Sequence, residues 1–123
     1  MKKKYRNVEL LIMSDNLEPL LSYKGKLGYT AARNYRTIAD CLTEYNKFRL
    51  ELVQKYGEEI KDENGNLISI QVPVKSDKFR LFADEMAQYN NIEHEVDIMT
   101  LPYDVVMDQL SGREFLDLDW MFE

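Results

Sequence analysis

Residues 27–56 read LGYTAARNYRTIADCLTEYNKFRLELVQKY, and they contain no proline and no glycine after Gly28. Apolar side chains recur in this segment at steps of three and four residues, which is the pattern of a helix with one buried face. They are Ala31, Ala32, Tyr35, Ile38, Ala39, Leu42, Tyr45, Leu52 and Tyr56. The pattern predicts one helix of about 42 Å from Leu27 to Tyr56. We expect so long a helix to pair with another, either the first helix of the chain or one from a second copy.

The residues before this segment predict a shorter helix. Asn7 can cap a helix that begins near Val8, and the apolar residues that follow fall at helical spacing. Pro19 interrupts the pattern, because proline removes a helix hydrogen bond and clashes with the preceding turn. A break or a new turn is therefore predicted near Ser14–Glu18.

The residues after the long helix predict a small sheet. Asn64-Gly65 favours a hairpin with a type I′ turn, in which both residues have positive φ. Apolar and polar residues alternate over 67–74 and again over 96–100, which indicates two strands that each have one buried face. A helix capped by Ser76 or Asp77 lies between them, so the order strand, helix, strand allows a crossover pairing.

The C-terminal residues predict a short packed helix. Ser111 and Glu114 have the spacing of a capping box, in which each side chain accepts from the other's backbone N–H. Phe115, Leu118 and Phe122 then form an apolar stripe. The complete prediction is a single α+β domain over residues 1–123: a long-helix hairpin, a small two- or three-stranded β-sheet and short C-terminal helices.

The net charge of −6 is divided unevenly along the chain. Residues 1–56, the helical basic half, hold 11 Lys or Arg and 6 Asp or Glu, a net charge of +5. Residues 57–123, the acidic half, hold 5 and 16, a net charge of −11. Two interpretations are open: the halves neutralise each other within the fold, or a charged face binds a partner.

The sequence predicts an intracellular protein. Cys41 is the only cysteine, which excludes an intrachain disulfide, and helical spacing places it beside the apolar stripe as a buried, inert thiol. The apolar run after the basic residues 1–6 stops at Ser14, too early for a secretory signal peptide. No segment approaches the about 20 apolar residues that span a bilayer, so no membrane partner is expected.

No catalytic, cofactor or metal motif is recognisable. His94 is the only histidine, and its neighbours Glu93 and Glu95 point to the opposite face of a strand, so a surface role is favoured. Paired carboxylates such as Asp104/Asp108 could bind Mg²⁺ or act as acid and base, yet a solvated acidic face is the preferred interpretation. The prediction is a protein that is not an enzyme and has no cofactor and no metal.

Two surfaces are candidates for partner binding. An acidic surface around Trp120 could occupy a basic groove on another protein, as a nucleic acid would. Its predicted residues are Glu93, Glu95, Asp104, Asp108, Asp117, Asp119 and Trp120. A second surface interleaves tyrosines with Lys24, Lys26, Arg33 and Arg36, which could contact phosphates and stack on bases.

Several segments together resemble a domain-of-unknown-function family encoded by tailed phages and prophages of Gram-positive bacteria. They are Lys26–Asn34, which opens the long helix, Leu50–Gly57, which closes it, the turn Lys61–Asn66, then Phe82–Met86, Glu95–Asp97 and Leu110–Asp119. The resemblance spans most of the chain but carries no active-site residues. It implies a small phage accessory protein that acts by binding in the bacterial cytoplasm.

The leading hypothesis is a non-enzymatic protein-binding module of phage origin that modulates or inhibits a host factor, including a defence nuclease. Three alternatives stay open. One is a virion or assembly component that forms a homo-oligomer through the long helix. The others are a small metal-dependent enzyme and a nucleic-acid-binding accessory protein that uses the basic helix.

Overall fold

The structure is a computed structural model that describes residues 2–123 of an α+β chain. Within these residues there are six α-helices and two sheets, each of two antiparallel strands. The order of elements is β1 (Lys2–Arg6), α1 (Asn7–Leu17), a 3-10 helix (Glu18–Ser22), α2 (Gly25–Cys41), α3 (Thr43–Tyr56), β2 (Glu58–Lys61), β3 (Leu67–Gln71), α4 (Asp77–Asn90), β4 (Glu93–Asp97), α5 (Tyr103–Val106), α6 (Gly112–Asp117) and a C-terminal 3-10 helix (Asp119–Met121).

The chain divides into two compact units. The first unit comprises the chain up to Leu42 together with Glu93–Glu123, and the second unit is residues 43–92. The second unit is thus inserted into the sequence of the first. That residues 1–123 behave as one domain stays a prediction.

The predicted single helix over 27–56 is wrong, because it is two helices separated at Leu42. The backbone N–H of Leu42 donates to the carbonyls of both Ile38 (3.0 Å) and Ala39 (3.1 Å), a tightened last turn that ends α2. Asp40, Cys41 and Thr43 surround this point and are all weak helix formers, so the backbone leaves the helical path there. The hairpin built on one long helix is not confirmed.

Helices α1 and α2 supply most of the core of the first unit. Each buries one stripe at helical spacing, as the apolar pattern predicts. The buried residues are Leu10, Met13 and Leu17 from α1 and Leu27, Ala31 and Ile38 from α2, together with Leu20, Val96, Ile98, Leu101, Val106, Leu118, Met121 and Phe122. The new turn predicted at Pro19 is confirmed, since α1 ends at Leu17 and Pro19 lies in the first turn of the 3-10 helix.

The first strand was not expected from the sequence. Residues 2–6 pair antiparallel with β4, and Tyr5 lies opposite His94 in the ladder. The predicted crossover between the third and fourth strands is wrong, because β3 pairs with β2. The lysines of β1 resemble the charged start of a leader segment more than a strand. The partner strand β4 lies about 90 residues away in sequence, so no local pattern indicates the pairing.

Opposite charges face each other across this β1–β4 ladder. Three pairs lie in register on one side of the sheet: Lys2 opposite Asp97, Lys4 opposite Glu95 and Arg6 opposite Glu93. Such cross-strand pairs contribute about 0.2–1 kcal/mol each. The first unit holds 9 Lys or Arg and 13 Asp or Glu (net −4), and the second holds 7 and 9 (net −2). The basic and acidic halves of the sequence are therefore mixed within the first unit.

A tight turn joins β2 to β3 at the predicted position but with a different geometry. Gly65 has a φ of +81°. Among residues 2–123 only glycines have a positive φ, so Asn64 lacks the positive φ that the predicted type I′ turn requires. Instead the Asp62 carboxylate accepts the backbone N–H groups of Asn66 and Asn64, both at 2.9 Å. These bonds hold the pKa of Asp62 below its usual value.

Titration of this turn is a direct test of its geometry. We expect the amide NMR signals of Asn64 and Asn66 to shift with a midpoint below 3.8, the ordinary value for an aspartate. Because the folded pKa is lowered, the turn's contribution to stability is complete above the unfolded pKa and is lost as pH falls through the folded pKa. Asp62→Asn should abolish this pH-dependent change in the amide signals, whereas Glu63→Gln should leave it unchanged. A midpoint at or above 3.8 would contradict the hydrogen bonds.

The predicted helix caps are confirmed at two positions. The Ser76 hydroxyl accepts the N–H of Phe79 at 3.3 Å and begins α4. Ser111 and Glu114 form the predicted capping box, with bonds of 3.2 and 3.0 Å. The predicted cap Asn7 is wrong, because it is the first residue of α1 and the residue before it occupies the capping position.

Candidate functional site

The predicted acidic surface is not assembled as one free face. Glu93 and Glu95 are exposed, yet they lie opposite Arg6 and Lys4 in the β1–β4 ladder. Their charge is thus partly balanced within the first unit, which weakens their attraction for a basic partner.

The four C-terminal aspartates of this set are exposed but have different surroundings. Asp104 lies in α5, which ends at Val106, so it does not share a helix with Asp108 as predicted. Asp119 accepts the hydroxyl of Tyr103 at 2.6 Å, which raises the pKa of that tyrosine. Asp117 is the last residue of α6. No group of three or more His, Cys, Asp or Glu residues within 2–123 is arranged to hold a metal ion.

The side chain of Trp120 is half-buried, not exposed on the surface. Its indole N–H is buried and donates no hydrogen bond within the described residues. Three aromatic rings pack together in the same C-terminal region, with centroid separations of 5.5 to 6.1 Å between Tyr103, Phe115 and Phe122. This region is mainly a packed end of the first unit.

His94 and Cys41 have structural surroundings. The Nε2 atom of His94 lies 2.7 Å from the side-chain oxygen of Asn7, which is itself buried, so it joins β4 to the start of α1. Cys41 is half-buried, and burial together with neighbouring Asp40 raises the pKa of its thiol. A raised pKa lowers the thiolate fraction, which disfavours nucleophilic chemistry.

A buried amide, which the sequence did not reveal, orders the segment after β4. The side chain of Asn34 is 1% exposed and donates to the carbonyl of Met99 at 2.9 Å. Its oxygen accepts the N–H of Met99 at 2.8 Å. This reciprocal pair imitates the bonding of a neighbouring strand and fixes residues 98–100 to α2.

The predicted phosphate contacts lie on and just before α2. Lys24 precedes the helix and Lys26 is in its first turn, while Arg33 and Arg36 line a shallow notch on the exposed helix face. None of the four cations forms an ion pair with an acidic residue in the described part of the chain. The structure therefore places Arg33 and Arg36 together with Tyr29 in that notch.

The largest apolar depression described lies in the second unit, and we call it the α3–α4 groove. It occupies about 400 Å³ between α3, β3 and α4. Its lining is six apolar side chains with one cation and one amide: Leu50, Val53, Ile70, Val72, Phe79, Phe82, Arg49 and Gln71. The side chains come from segments up to about 30 residues apart, so no sequence motif marks the groove.

Side-chain contacts join α3 to α4, the two helices that supply most of the groove lining. Phe48 stacks on Tyr89 with a centroid separation of 4.7 Å and an angle of 5° between the rings. Tyr45 donates its hydroxyl to Asn90 at 2.7 Å. At the C-terminal end of α3, Glu85 accepts from the Tyr56 hydroxyl at 2.9 Å and from Lys55 at 3.3 Å. A preformed groove loses less conformational entropy on binding a partner.

In the second unit, exposed large apolar residues outnumber fully buried ones, and the others are half-buried. Only Tyr45 and Met86 among the large apolar residues of 43–92 are buried. Eight others are exposed: Phe48, Leu50, Ile60, Leu67, Ile68, Val74, Leu81 and Ile92. Large exposed apolar areas on a folded protein typically mark binding surfaces.

Cations lie at the rim of the α3–α4 groove. Arg49 is exposed and lines the groove directly. Lys78 precedes Phe82 by one helical turn on α4, so the two side chains share a face. Neither cation forms an ion pair with any of residues 2–123. The carboxylate of Glu59 lies opposite the groove residue Ile70 in the β2–β3 ladder but pairs with Lys61 at 3.5 Å. The two cations without a carboxylate partner therefore favour an anionic group beside an apolar one.

No match to this chain was found among protein-family models, curated proteins or solved structures. The resemblance to a phage-encoded family therefore stays a prediction. No helix among residues 2–123 is long and apolar enough to cross a membrane.

Proposed function

We propose that this chain is a non-enzymatic protein-binding module whose binding site is the α3–α4 groove. The observation that carries the proposal is the groove lining itself, in which the exposed Leu50 lies beside five half-buried apolar side chains. Burying such a groove against a partner stabilises a complex by about 25 cal/mol for each Å² of apolar area removed from water.

The chemistry of the lining defines the partner. It is a protein segment that presents apolar side chains to the groove and carboxylates to Arg49 and Lys78. Aromatic walls from Phe79 and Phe82 suit a branched or aromatic anchor, which is where interface energy concentrates. A basic segment would leave like charges facing each other at the rim, which disfavours binding.

The biological setting is also part of the proposal. As the resemblance implies, the module is an accessory protein of a phage or prophage that acts in the bacterial cytoplasm. It modulates or inhibits a host factor, for which a defence nuclease is one candidate. The groove is favoured over the acidic surface because Glu93 and Glu95 face cations and Asp119 is bonded to Tyr103.

A pair of synthetic peptides tests the site and its charge preference. Each is a labelled amphipathic helix of about four turns with the same apolar face; one carries glutamates on its polar face and the other lysines. We expect the full chain to bind the acidic peptide about tenfold more tightly by fluorescence anisotropy. Leu50→Glu should weaken that binding about tenfold or more, because it removes apolar contact and adds a repelling charge.

Leu116→Glu is the matched control, since Leu116 is 82% exposed on α6 and lies outside the groove. It should leave the affinity unchanged. Equal binding of both peptides, or equal loss in the two variants, would overturn the proposal. Self-association of the chain that Leu50→Glu abolishes would also overturn it, in favour of a second copy as the occupant.

A further inference from the structure

The exposed face of α2 carries a second surface, which we call the α2 stripe. It consists of Lys26, Tyr29, Arg33 and Arg36, separated by three, four and three residues. This spacing places the four side chains along one face of the helix over about 15 Å. All four are exposed.

The centre of the stripe has the shape of a stacking platform. Tyr29 is 58% exposed, although tyrosine ordinarily packs most of its ring against the protein. The Arg33 guanidinium donates to the Tyr29 hydroxyl at 3.4 Å, which holds the ring beside the cation. Ala32 is the only small side chain in the lining, so a notch of about 330 Å³ opens above its methyl group.

The cations of the stripe form no ion pair among residues 2–123, although Asp40 lies one helical turn beyond Arg36 and Asp97 lines a pocket with Arg33. The other basic cluster of the first unit, on β1, lies opposite carboxylates of β4. An exposed row of cations attracts anionic ligands to that face.

We infer that the α2 stripe binds single-stranded nucleic acid. Lys26, Arg33 and Arg36 neutralise successive phosphates, and one unpaired base stacks on the ring of Tyr29 above Ala32. Phosphate contacts alone would suit a duplex equally well. The exposed ring adds a preference for single strands, because bases in a duplex are already stacked on each other.

The test uses the full chain and a fluorescein-labelled oligothymidylate of about 12 nucleotides. Fluorescence anisotropy at several salt concentrations gives the affinity and its salt dependence. Tyr29→Ala should weaken binding roughly fivefold or more without changing the slope of log affinity against log salt. Arg33→Gln with Arg36→Gln should reduce the steepness of that slope by about 1.4, because two phosphate contacts are lost.

Lys47→Gln with Arg80→Gln is the matched control, since it removes the same charge from exposed positions in the second unit. It should leave the slope and the affinity unchanged. The inference is overturned if the control and the arginine variants lose affinity equally, or if Tyr29→Ala binds like wild type. A duplex of the same length bound as tightly as the single strand would also overturn it. Leu50→Glu should retain oligonucleotide binding, so the groove and the stripe are tested separately.

Discussion

Gly28→Ala is expected to lower the free energy of unfolding by about 3 kcal/mol. The Cβ atom it adds would overlap the carbonyl oxygen of Tyr23 and lie 2.7 Å from its carbonyl carbon. Both are backbone atoms, so a side-chain rotation cannot relieve the clash. Tyr23 is held at both ends, since its N–H donates to Leu20 at 3.1 Å and its hydroxyl to Glu114 at 3.2 Å.

The direction of the stability change distinguishes a steric clash from helix propensity, because the clash lowers stability and the higher helix propensity of alanine raises it. In an open helix, alanine in place of glycine stabilises by about 1 kcal/mol. Gly112 is the matched control, because it lies in α6 with nothing within 4 Å of an added Cβ. Urea unfolding should therefore show a large loss of stability for Gly28→Ala, and no loss but a gain of up to about 1 kcal/mol for Gly112→Ala. A Gly28→Ala protein as stable as wild type would show that the close approach to Tyr23 is wrong.

Asn34→Leu should lower the free energy of unfolding by about 2 kcal/mol, although leucine matches asparagine in size. The substitution removes both hydrogen bonds to Met99 and leaves its N–H and carbonyl without their buried partner. The Met99 amide should then exchange its hydrogen faster than in wild type, which amide NMR measures directly. Asn46→Leu is the control, since Asn46 is exposed on α3.

These outcomes distinguish the reciprocal amide pair from simple packing. If Asn34 served only to fill space, leucine would preserve or raise stability and the Met99 amide would keep its protection. Unchanged exchange at Met99 would contradict the pairing even if overall stability fell. A similar loss for Asn46→Leu would point to a general effect of added apolar surface.

Local signals in the sequence predicted several helix ends and the position of the β2–β3 turn, whereas the cap at Asn7 and the type I′ geometry are wrong. Pro19 and Ser76 each act through their own backbone or side chain, so a few neighbouring residues suffice to predict a boundary. The capping box at Ser111 and the turn at Gly65 belong to the same class. The apolar spacing also predicted the buried positions Ala31 and Ile38 of α2, since that pattern depends only on helix geometry, whereas Ala32 and Ala39 of the same predicted set are exposed.

Features that depend on distant pairing were missed. The strand β1 becomes recognisable only once β4 lies beside it, because its lysines lack the apolar alternation of a typical strand. The end of α2 at Leu42 was hidden because the apolar spacing continues across it into α3.

Of the two candidate sites, the sequence predicted the one formed by a single helix and missed the one that combines distant segments. Arg33 and Arg36 were identified with their surface, because residues three apart on a helix share a face. The α3–α4 groove combines Leu50, Ile70 and Phe82 from three elements, and only the folded chain brings them together.

Chemical-shift mapping of the full chain with the acidic amphipathic peptide tests the proposed groove most directly. The shifted amides are expected to cluster at the groove residues, with the largest changes near Leu50, Ile70 and Phe82, and little change in the first unit. Shifts that cluster instead at residues 104–119, or a spectrum unchanged at saturating peptide, would contradict the proposal that the α3–α4 groove is the protein-binding site.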